Sequence, residues 1–380
     1  MLPLAFLIYR LFAIRRVLAM SATTAATRHR VGRVSRTLNV VLIVWGAAVL
    51  ALHSHASLVV WTRRDAGCLL DMRPWARASY TCAVLELSCS QRRVDGYAHE
   101  IDAALRRVDR ATLQSLVVSN CPALEIPAIV DAATDDAFRS LIMLKLFNST
   151  IVRWDVDAAL DAARFPTLQQ LLLIDCNMTA FPHALTTAAA PSSLRDIKIV
   201  GSNLTTLPME LATAWRAVTF LALERHPQLT VVPRVVGQLR RLVYLSLHGN
   251  ALDASTAFPA SVLDDAALFQ LVLSNNSAFS ELPTSLGRWQ TFRAVDISFT
   301  NVSTLPPAWL AMRTAAGGER WDVSELISVR ASATPLCARL APRTVVMQSR
   351  FVVQCDAAAA NTDYTYPIEQ EGHWRQANRA

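Results

Sequence analysis

Apolar residues recur along the middle of the chain in a fixed short pattern. Residues 242–252, LVYLSLHGNAL, match the arrangement L-x-x-L-x-L-x-x-N-x-L at every fixed position. The same pattern places eight copies, which begin at Leu113, Leu141, Leu168, Leu194, Val218, Leu242, Leu268 and Phe292. Because the copies recur at regular short intervals, the pattern predicts a solenoid in which each copy adds a short strand and a helical or irregular return segment.

Two further features of the copies carry structural information. The ninth position holds small or polar residues: Cys121, Ser149, Cys176, Ser202, His226, Asn250, Asn276 and Thr300. We expect these side chains to hydrogen-bond the backbone of adjacent coils, because buried backbone groups need partners. All copies but the second also end in an apolar residue followed by proline, where we expect the chain to turn into the convex segment.

The registered copies resemble the leucine-rich-repeat family. The stretch PRVVGQLRRLVYLSLHGNAL (233–252) is close to the consensus of its extracellular, plant-like members. The resemblance covers residues 113–313 and implies an α/β solenoid, a horseshoe of about eight repeats. A second resemblance, to membrane-anchored leucine-rich-repeat proteins of the oomycete type, rests on the basic leader, the Cys-x-x-x-x-Arg-Pro-Trp stretch (68–75) and the closing TYPIE (365–369).

A continuous apolar segment precedes the repeats. Residues 37–62 carry no formal charge, and residues 38–60 are long enough to cross a hydrocarbon core of about 30 Å as a helix. Residues 1–64 hold nine arginines and no Asp or Glu. The positive-inside rule therefore predicts a cytosolic tail (1–36), one transmembrane segment and a translocated remainder, at the plasma membrane or in the secretory pathway. A mitochondrial transit peptide and a cleaved secretory signal are the alternatives.

The regions that flank the repeats, residues 63–112 and 314–380, are expected to cap the solenoid, whose end coils would otherwise expose their core. Each contains cysteines. In a translocated domain, Cys337 and Cys355 of the C-terminal cap are expected to form a disulfide.

The remaining cysteines number five. Cys121 and Cys176 occupy ninth positions and are expected to be free and buried. Cys68, Cys82 and Cys89 lie in the N-terminal cap, so that one of these three is expected to stay unpaired. Free buried thiols throughout the caps are the alternative to disulfides.

Charge and modification motifs agree with a translocated recognition domain. Beyond residue 64 the chain has 37 − 9 = 28 basic and 30 acidic residues, so that no basic footprint for a nucleic acid exists there. Five Asn-x-Ser/Thr acceptors lie within the repeats and are expected to carry glycans. They are Asn148, Asn177, Asn203, Asn275 and Asn301.

No motif in the sequence indicates catalysis. Signatures of nucleotide-binding loops, protein kinases, serine hydrolases and zinc metalloproteases are absent, and no cysteine pair has the C-x-x-C spacing of a zinc site. We therefore expect no enzyme, no cofactor and no metal.

The strand residues between the inward leucines are expected to point to the concave side and to be exposed. The candidate ligand-binding residues there are Met143, Lys145, Phe147, Leu172, Phe220, Tyr244, His248 and Asp296. Such a partly apolar strip is typical of surfaces that bind proteins or peptides, while carbohydrate and lipid ligands stay open. The sequence thus predicts a non-catalytic, membrane-anchored recognition protein. A structural or adhesive surface protein and the ligand-binding subunit of a receptor that signals through another chain are the alternatives.

Overall fold

The computed structural model divides the chain into two compact units, residues 1–64 with 73–80 and residues 65–72 with 81–380. The residues that it describes are 25–75, 79–128, 138–186, 190–253, 268–284, 291–310, 326–340, 345–348, 351–356 and 365–371. Residues 1–24 of the predicted cytosolic tail lie outside them.

The described residues of the first unit include a long helix, α1 (Ala25–Arg63). Its portion Arg36–Arg63 is long and apolar enough to cross a membrane, a property that a signal sequence shares. Large apolar side chains along it, including those of Ile43 and Trp45, are exposed. The predicted apolar segment is therefore a helix with an unburied apolar surface, compatible with either a span or a signal sequence.

The second unit is built on one long sheet. Its strands are β1 (Cys68–Met72), β2 (Thr81–Ser88), β3 (Ser115–Ser119), β4 (Leu124–Glu125), β5 (Met143–Arg153), β6 (Gln170–Met178), β7 (Asp196–Val200), β8 (Phe220–Glu224), β9 (Tyr244–Ser246), β10 (Gln270–Val272), β11 (Ala294–Asp296), β12 (Ile327–Arg330), β13 (Val345–Gln348) and β14 (Phe351–Gln354). From β2 to β12 and on to β14 the neighbours along the sheet are parallel, whereas β1 and β13 add antiparallel edges.

Parallel neighbours that follow one another in sequence make the unit a solenoid, as the leucine pattern predicts. Its turns number about seven, where the pattern places eight copies. Inward positions of adjacent copies pair directly, as in Leu144 with Leu171 and Leu171 with Ile197. These side chains are buried in continuous rows. The parallel strands extend past both ends of residues 113–313, because β2 precedes them and β12 and β14 follow.

The return segments are short helices and 3-10 turns. The helices are α2 (Cys89–Arg92), α3 (Ala98–Leu105), α4 (Leu211–Ala214), α5 (Pro307–Leu310) and α6 (Pro335–Leu340), and the 3-10 turns are Arg110–Thr112, Val156–Ala158, His183–Leu185 and Arg234–Gln238. A further 3-10 turn, Ile368–Gln370, follows the last strand and is not a return segment. The carbonyls of Pro182, Pro233 and Pro306 each accept an N–H from three residues on, at 3.1, 3.0 and 2.9 Å. Proline therefore begins the return turn, as expected.

The eighth position of every copy adopts the left-handed conformation. The residues are Asn120, Asn148, Asp175, Gly201, Arg225, Gly249, Asn275 and Phe299, with φ between 44° and 69°. Asn, Asp and Gly tolerate this region, whereas Phe299 does not favour it. The turn allows the backbone N–H to bond to the next coil, as from Arg225 to the His248 carbonyl at 2.8 Å.

At Ser149, His226, Asn250 and Asn276 the ninth position bonds the backbone of an adjacent coil, as expected, whereas Cys121 forms a disulfide and the Thr300 hydroxyl bonds within its own coil. Asn250 Nδ2 donates to the carbonyls of Leu223 and Leu247, both at 2.8 Å, and its Oδ1 accepts the His226 N–H at 2.8 Å. One coil later, Asn276 Nδ2 donates to the carbonyls of Leu247 and Leu273, and its Oδ1 accepts the Leu252 N–H at 3.3 Å. Each of these buried amides thus satisfies backbone groups that have no strand partner.

His226 takes the place of asparagine in the ladder and is fully buried. Its Nε2 lies 3.0 Å from the Ile199 carbonyl oxygen, and its Nδ1 lies 3.2 Å from both the backbone nitrogen and the carbonyl oxygen of Ser202. Burial lowers the pKa of His226 to about 4, and the neutral ring is the form that fits.

Three disulfides stabilise the ends of the solenoid. Cys337 pairs with Cys355, the pair expected from the sequence, and Cys68 pairs with Cys82. The free cysteine is Cys176, which is buried as expected. Burial raises the pKa of its thiol to about 12.

The expectation of an unpaired cysteine among Cys68, Cys82 and Cys89 is wrong, because Cys89 bonds to Cys121. The expectation of a free Cys121 is wrong for the same reason. Cys89 directly follows β2, and the parallel pairing of β2 with β3 brings it to a Cα–Cα distance of 5.0 Å from Cys121. The bridge therefore joins the N-terminal cap to the first repeat.

We predict that His226→Asn makes the solenoid less sensitive to acid. The folded-state pKa near 4 lies below the ordinary value of 6.5, so the unfolded chain binds more protons between these pH values. Stability is present above pH 6.5 and falls by up to about 1.4 kcal/mol per pH unit as pH drops toward 4.

Denaturant unfolding at pH 7 and pH 5 should show a smaller loss for His226→Asn than for the wild type. His183→Asn, which replaces an exposed histidine, is the control. Equal losses in the wild type and in His226→Asn would contradict the prediction.

Candidate ligand-binding face

The predicted concave strip corresponds to the non-core face of the sheet, formed by the third, fifth and seventh positions of the copies. Because the strands are parallel and in register, equivalent positions form rows across the sheet. The fifth-position row contains Lys145, Leu172, Lys198, Ala222 and Ser246, and the seventh-position row contains Phe147, Ile174, Val200, Glu224 and His248. Neighbours in a row are about 4.8 Å apart, so that a ligand can contact several coils at once.

Residues 365–371, which we call the C-terminal segment, lie on this face. Tyr366 and Ile368 pack against a buried aliphatic cluster of the sheet. The cluster is formed by Leu172, Ile174 and Val200, with Met143 and Phe147 beside it. The segment therefore occupies part of the candidate binding face.

Polar contacts fix the C-terminal segment at three points. The Tyr366 N–H donates to Glu224 Oε2 at 2.9 Å, and Arg225 Nη2 lies 2.5 Å from Glu369 Oε1. Lys145 Nζ lies 2.5 Å from Glu371 Oε1, which also accepts from the Tyr366 hydroxyl. Both side chains of the Lys145–Glu371 pair are about nine-tenths buried, so water screens this pair little.

Two lysines flank the Tyr366 ring. Lys145 Nζ lies 5.8 Å and Lys198 Nζ lies 6.0 Å from its centroid. Lys198 Nζ also lies 4.9 Å from the Phe220 ring centroid, and Lys145 Nζ lies 5.7 Å from that of Phe147. These distances are those of cation–π interactions, so the face binds an aromatic group through its lysines.

Burial dominates the electrostatics of the acidic groups on the face. It raises the pKa of Glu224, whose carboxylate accepts from the Ser246 hydroxyl and from the Tyr366 N–H. Burial also raises the pKa of Asp196 and of Asp296. A carboxylate that is desolvated in this way depends on the hydrogen bonds that it accepts.

Two groups at the margin of the face, Glu369 and His248, have lowered pKa values. The hydrogen bond from Arg225 lowers the pKa of Glu369, which stays largely exposed. Burial lowers the pKa of His248 to about 4, and its Nδ1 lies 2.9 Å from Ser274 Oγ. At neutral pH the face thus presents a neutral imidazole beside a charged Arg225–Glu369 pair.

The expected exposure of the candidate residues is wrong for four of the eight. Lys145, Leu172, Tyr244 and Asp296 are only 8, 7, 8 and 4% exposed. The C-terminal segment covers the first two. Tyr244 stacks on Phe220, with the ring centroids 4.1 Å apart, and Asp296 Oδ1 accepts the N–H of Ser298 at 2.9 Å.

The other four candidates, Met143, Phe147, Phe220 and His248, are half-buried. Sequence reasoning missed Lys198, Glu224, Arg225 and the C-terminal segment as parts of the face. Lys198 could have been found, because it holds the same fifth position as Lys145 two copies earlier. Nothing local to residues 365–371 indicates which coils they contact.

The five predicted glycosylation acceptors, Asn148, Asn177, Asn203, Asn275 and Asn301, are all exposed. Asn148 Nδ2 donates to Asn120 Oδ1, and Asn203 Nδ2 donates to the Met178 carbonyl, both at 2.8 Å. Their modification stays a prediction. In the part of the chain that the structure describes, no group of three or more His, Cys, Asp or Glu side chains could hold a metal ion.

No family model matches the chain, and no curated protein matches it. One solved structure to which the chain is similar is the leucine-rich repeat domain of the type III effector XopL, at 18% identity and a TM-score of 0.44. That match covers 76% of this chain and 80% of the other. The solenoid and the leucine pattern are consistent with a leucine-rich-repeat protein.

The stacked pair gives a prediction for stability. Because Tyr244 is buried against Phe220, Tyr244→Ala should lower the free energy of unfolding by about 2 kcal/mol or more. A double-mutant cycle with Phe220→Ala should yield a coupling of about 0.5–1.5 kcal/mol. Met209→Ala, at an exposed site on a return segment, is the control and should change stability little. A coupling of zero would mean that the two rings do not stack in solution.

Proposed function

We propose that the chain is a non-catalytic recognition protein that binds a protein partner through the non-core face of its solenoid. The observation that carries this proposal is that the face already holds seven residues of chain. It does so through an aliphatic cluster, two lysines, a carboxylate that captures a backbone N–H, and two ion pairs. These are the contacts by which binding surfaces recognise peptides.

We further propose that α1 anchors the protein in a membrane with its N-terminus in the cytosol. Its apolar side chains are exposed, which is costly in water and favourable in lipid. Seven arginines precede the uncharged residues 37–62, four of them at positions 28, 30, 33 and 36. Three disulfides in the second unit favour an oxidising compartment for the solenoid, and Asn-linked glycans on the exposed acceptors would fit that location.

The partner is proposed to contact the part of the face that the C-terminal segment leaves accessible. Phe220 and His248 are half-buried there, and Val243 and Phe269 are exposed at the neighbouring edge. Aromatic side chains of this kind supply much of the binding energy in protein interfaces. Met143, Phe147, Lys145 and Leu172 would become available only where the segment leaves.

The first prediction from this proposal concerns topology. In sealed microsomes, a C-terminal tag should be protected from protease and an N-terminal tag should be digested, because arginines resist translocation. The protected chain should also shift on endoglycosidase treatment. Import into mitochondria with loss of the leader, or a fully protected cleaved product, would contradict the anchored orientation. Replacing the four arginines at 28, 30, 33 and 36 by Gln should weaken the orientation preference.

The second prediction concerns the partner. Crosslinking at the cell surface should recover a protein whose binding weakens on Phe220→Ala by about 30-fold, which corresponds to about 2 kcal/mol. Met209→Ala should leave that binding unchanged. Leu245→Ala should instead cost about 2–5 kcal/mol of folding stability, since Leu245 is a fully buried inward residue.

If Phe220→Ala changes no recovered interaction while the protein stays folded, the recognition role fails. The structural or adhesive role would then be favoured. If the partner is a signalling chain, the protein acts as the ligand-binding subunit of a receptor.

A further inference from the structure

The C-terminal segment contributes no side chain to the inward rows of the solenoid. Its contacts run from Lys145 on β5 to Glu224 at the end of β8, on the non-core side of the sheet. The inward residues of the same strands, such as Leu171, Ile197 and Leu221, are fully buried and point to the other side. The rows that hold the coils together are therefore complete without the segment.

The chain between β14 and the segment is long enough to reach this part of the face. Strand β14 is five strand spacings from β8 along the sheet, about 24 Å. The nine residue steps from Asp356 to Thr365 reach about 30 Å at most. Because the segment is covalently linked to the solenoid, its local concentration at the face is high.

The contacts of the segment define the chemistry of what this face binds. Lys145 and Lys198 form cation–π contacts with an aromatic ring. The aliphatic cluster packs against that ring and against an aliphatic side chain two residues later. Arg225 and Lys145 form ion pairs with carboxylates that lie three and five residues after the aromatic residue. Glu224 takes a backbone N–H, a group that any peptide but one with proline there can supply.

We propose that this part of the face is a binding site for a linear, acidic, aromatic-bearing peptide, and that the C-terminal segment is its resident competitor. The inference rests on the proposed recognition function and names a ligand class for the part of the face that the C-terminal segment covers. An external partner presents an aromatic residue, an aliphatic residue and two carboxylates in the spacing of Tyr366, Ile368, Glu369 and Glu371. It binds by displacing the C-terminal segment. The segment therefore sets the minimum affinity or concentration that an external peptide needs in order to bind.

The test uses the full chain in detergent and a fluorescent peptide with the sequence of residues 365–371. In the wild type the tethered segment competes, so the peptide should bind weakly. The double variant Tyr366→Ala/Glu371→Gln weakens the resident contacts and should bind the peptide at least about 10-fold more tightly. Adding Lys145→Ala to that variant should abolish binding, whereas adding Arg240→Ala, at an exposed residue of a return segment, should not.

Peptide specificity provides a second arm. A peptide with the same two substitutions as the tail variant should not bind. The proposal is overturned if the intact peptide fails to bind the tail variant while circular dichroism and the thermal midpoint show an unchanged fold. It is also overturned if binding is equal in the wild type and the tail variant. A wild-type dimer that the tail variant converts to a monomer would show that a second copy supplies the segment, which overturns an external partner.

Hydrogen exchange on the wild type keeps the proposal testable if the tail variant does not fold. Amides of residues 365–371 should exchange through a local opening, faster than the amides of β5 to β8. Excess peptide should accelerate that exchange. Exchange of the segment only together with the strands would overturn the proposal. Failure to recover a partner by crosslinking would leave these peptide results intact, so the two failures are distinguishable.

Discussion

Every coil of the solenoid depends on satisfying the backbone where the strand ends and the chain turns. The eighth residue of each copy adopts the left-handed conformation, and the ninth residue enters the interior with a polar or small side chain. Asn250 and Asn276 each bond several backbone groups from adjacent coils, while His226 does so as a neutral imidazole. Parallel strands can stack without interruption only because this interior edge is hydrogen-bonded.

The leucine periodicity predicts the solenoid because it records which side chains face the interior, and that property is local to each copy. The spacing of Leu141, Leu144 and Leu146 alone specifies a strand and its buried side. The left-handed position was recognisable in principle, since Asn, Asp or Gly fills six of its eight occurrences. Phe299 and Arg225 would have been the exceptions.

The cysteine pairing and the covered face were beyond the sequence because each depends on contacts between distant parts of the chain. Cys121 follows the repeat pattern, but the cap strand β2 brings Cys89 beside it. Lys145 pairs with Glu371, 226 residues later, and that contact changes an exposed strip into a partly occupied one. A pattern that repeats every coil carries no information on which coil a tail contacts.

Two of the three disulfides have a mechanical consequence. A linear stack has neighbour contacts only, so its terminal coils, which have one neighbour each, are the first to open when the chain is heated or pulled. The Cys89–Cys121 disulfide links the first repeat covalently to the N-terminal cap, and Cys337–Cys355 links α6 to the residue that follows β14. These links oppose the opening of the terminal coils at both ends of the solenoid. In a reducing compartment these disulfides would be lost and the solenoid would unfold from its terminal coils inward. The stability of the protein therefore depends on the redox potential of its surroundings.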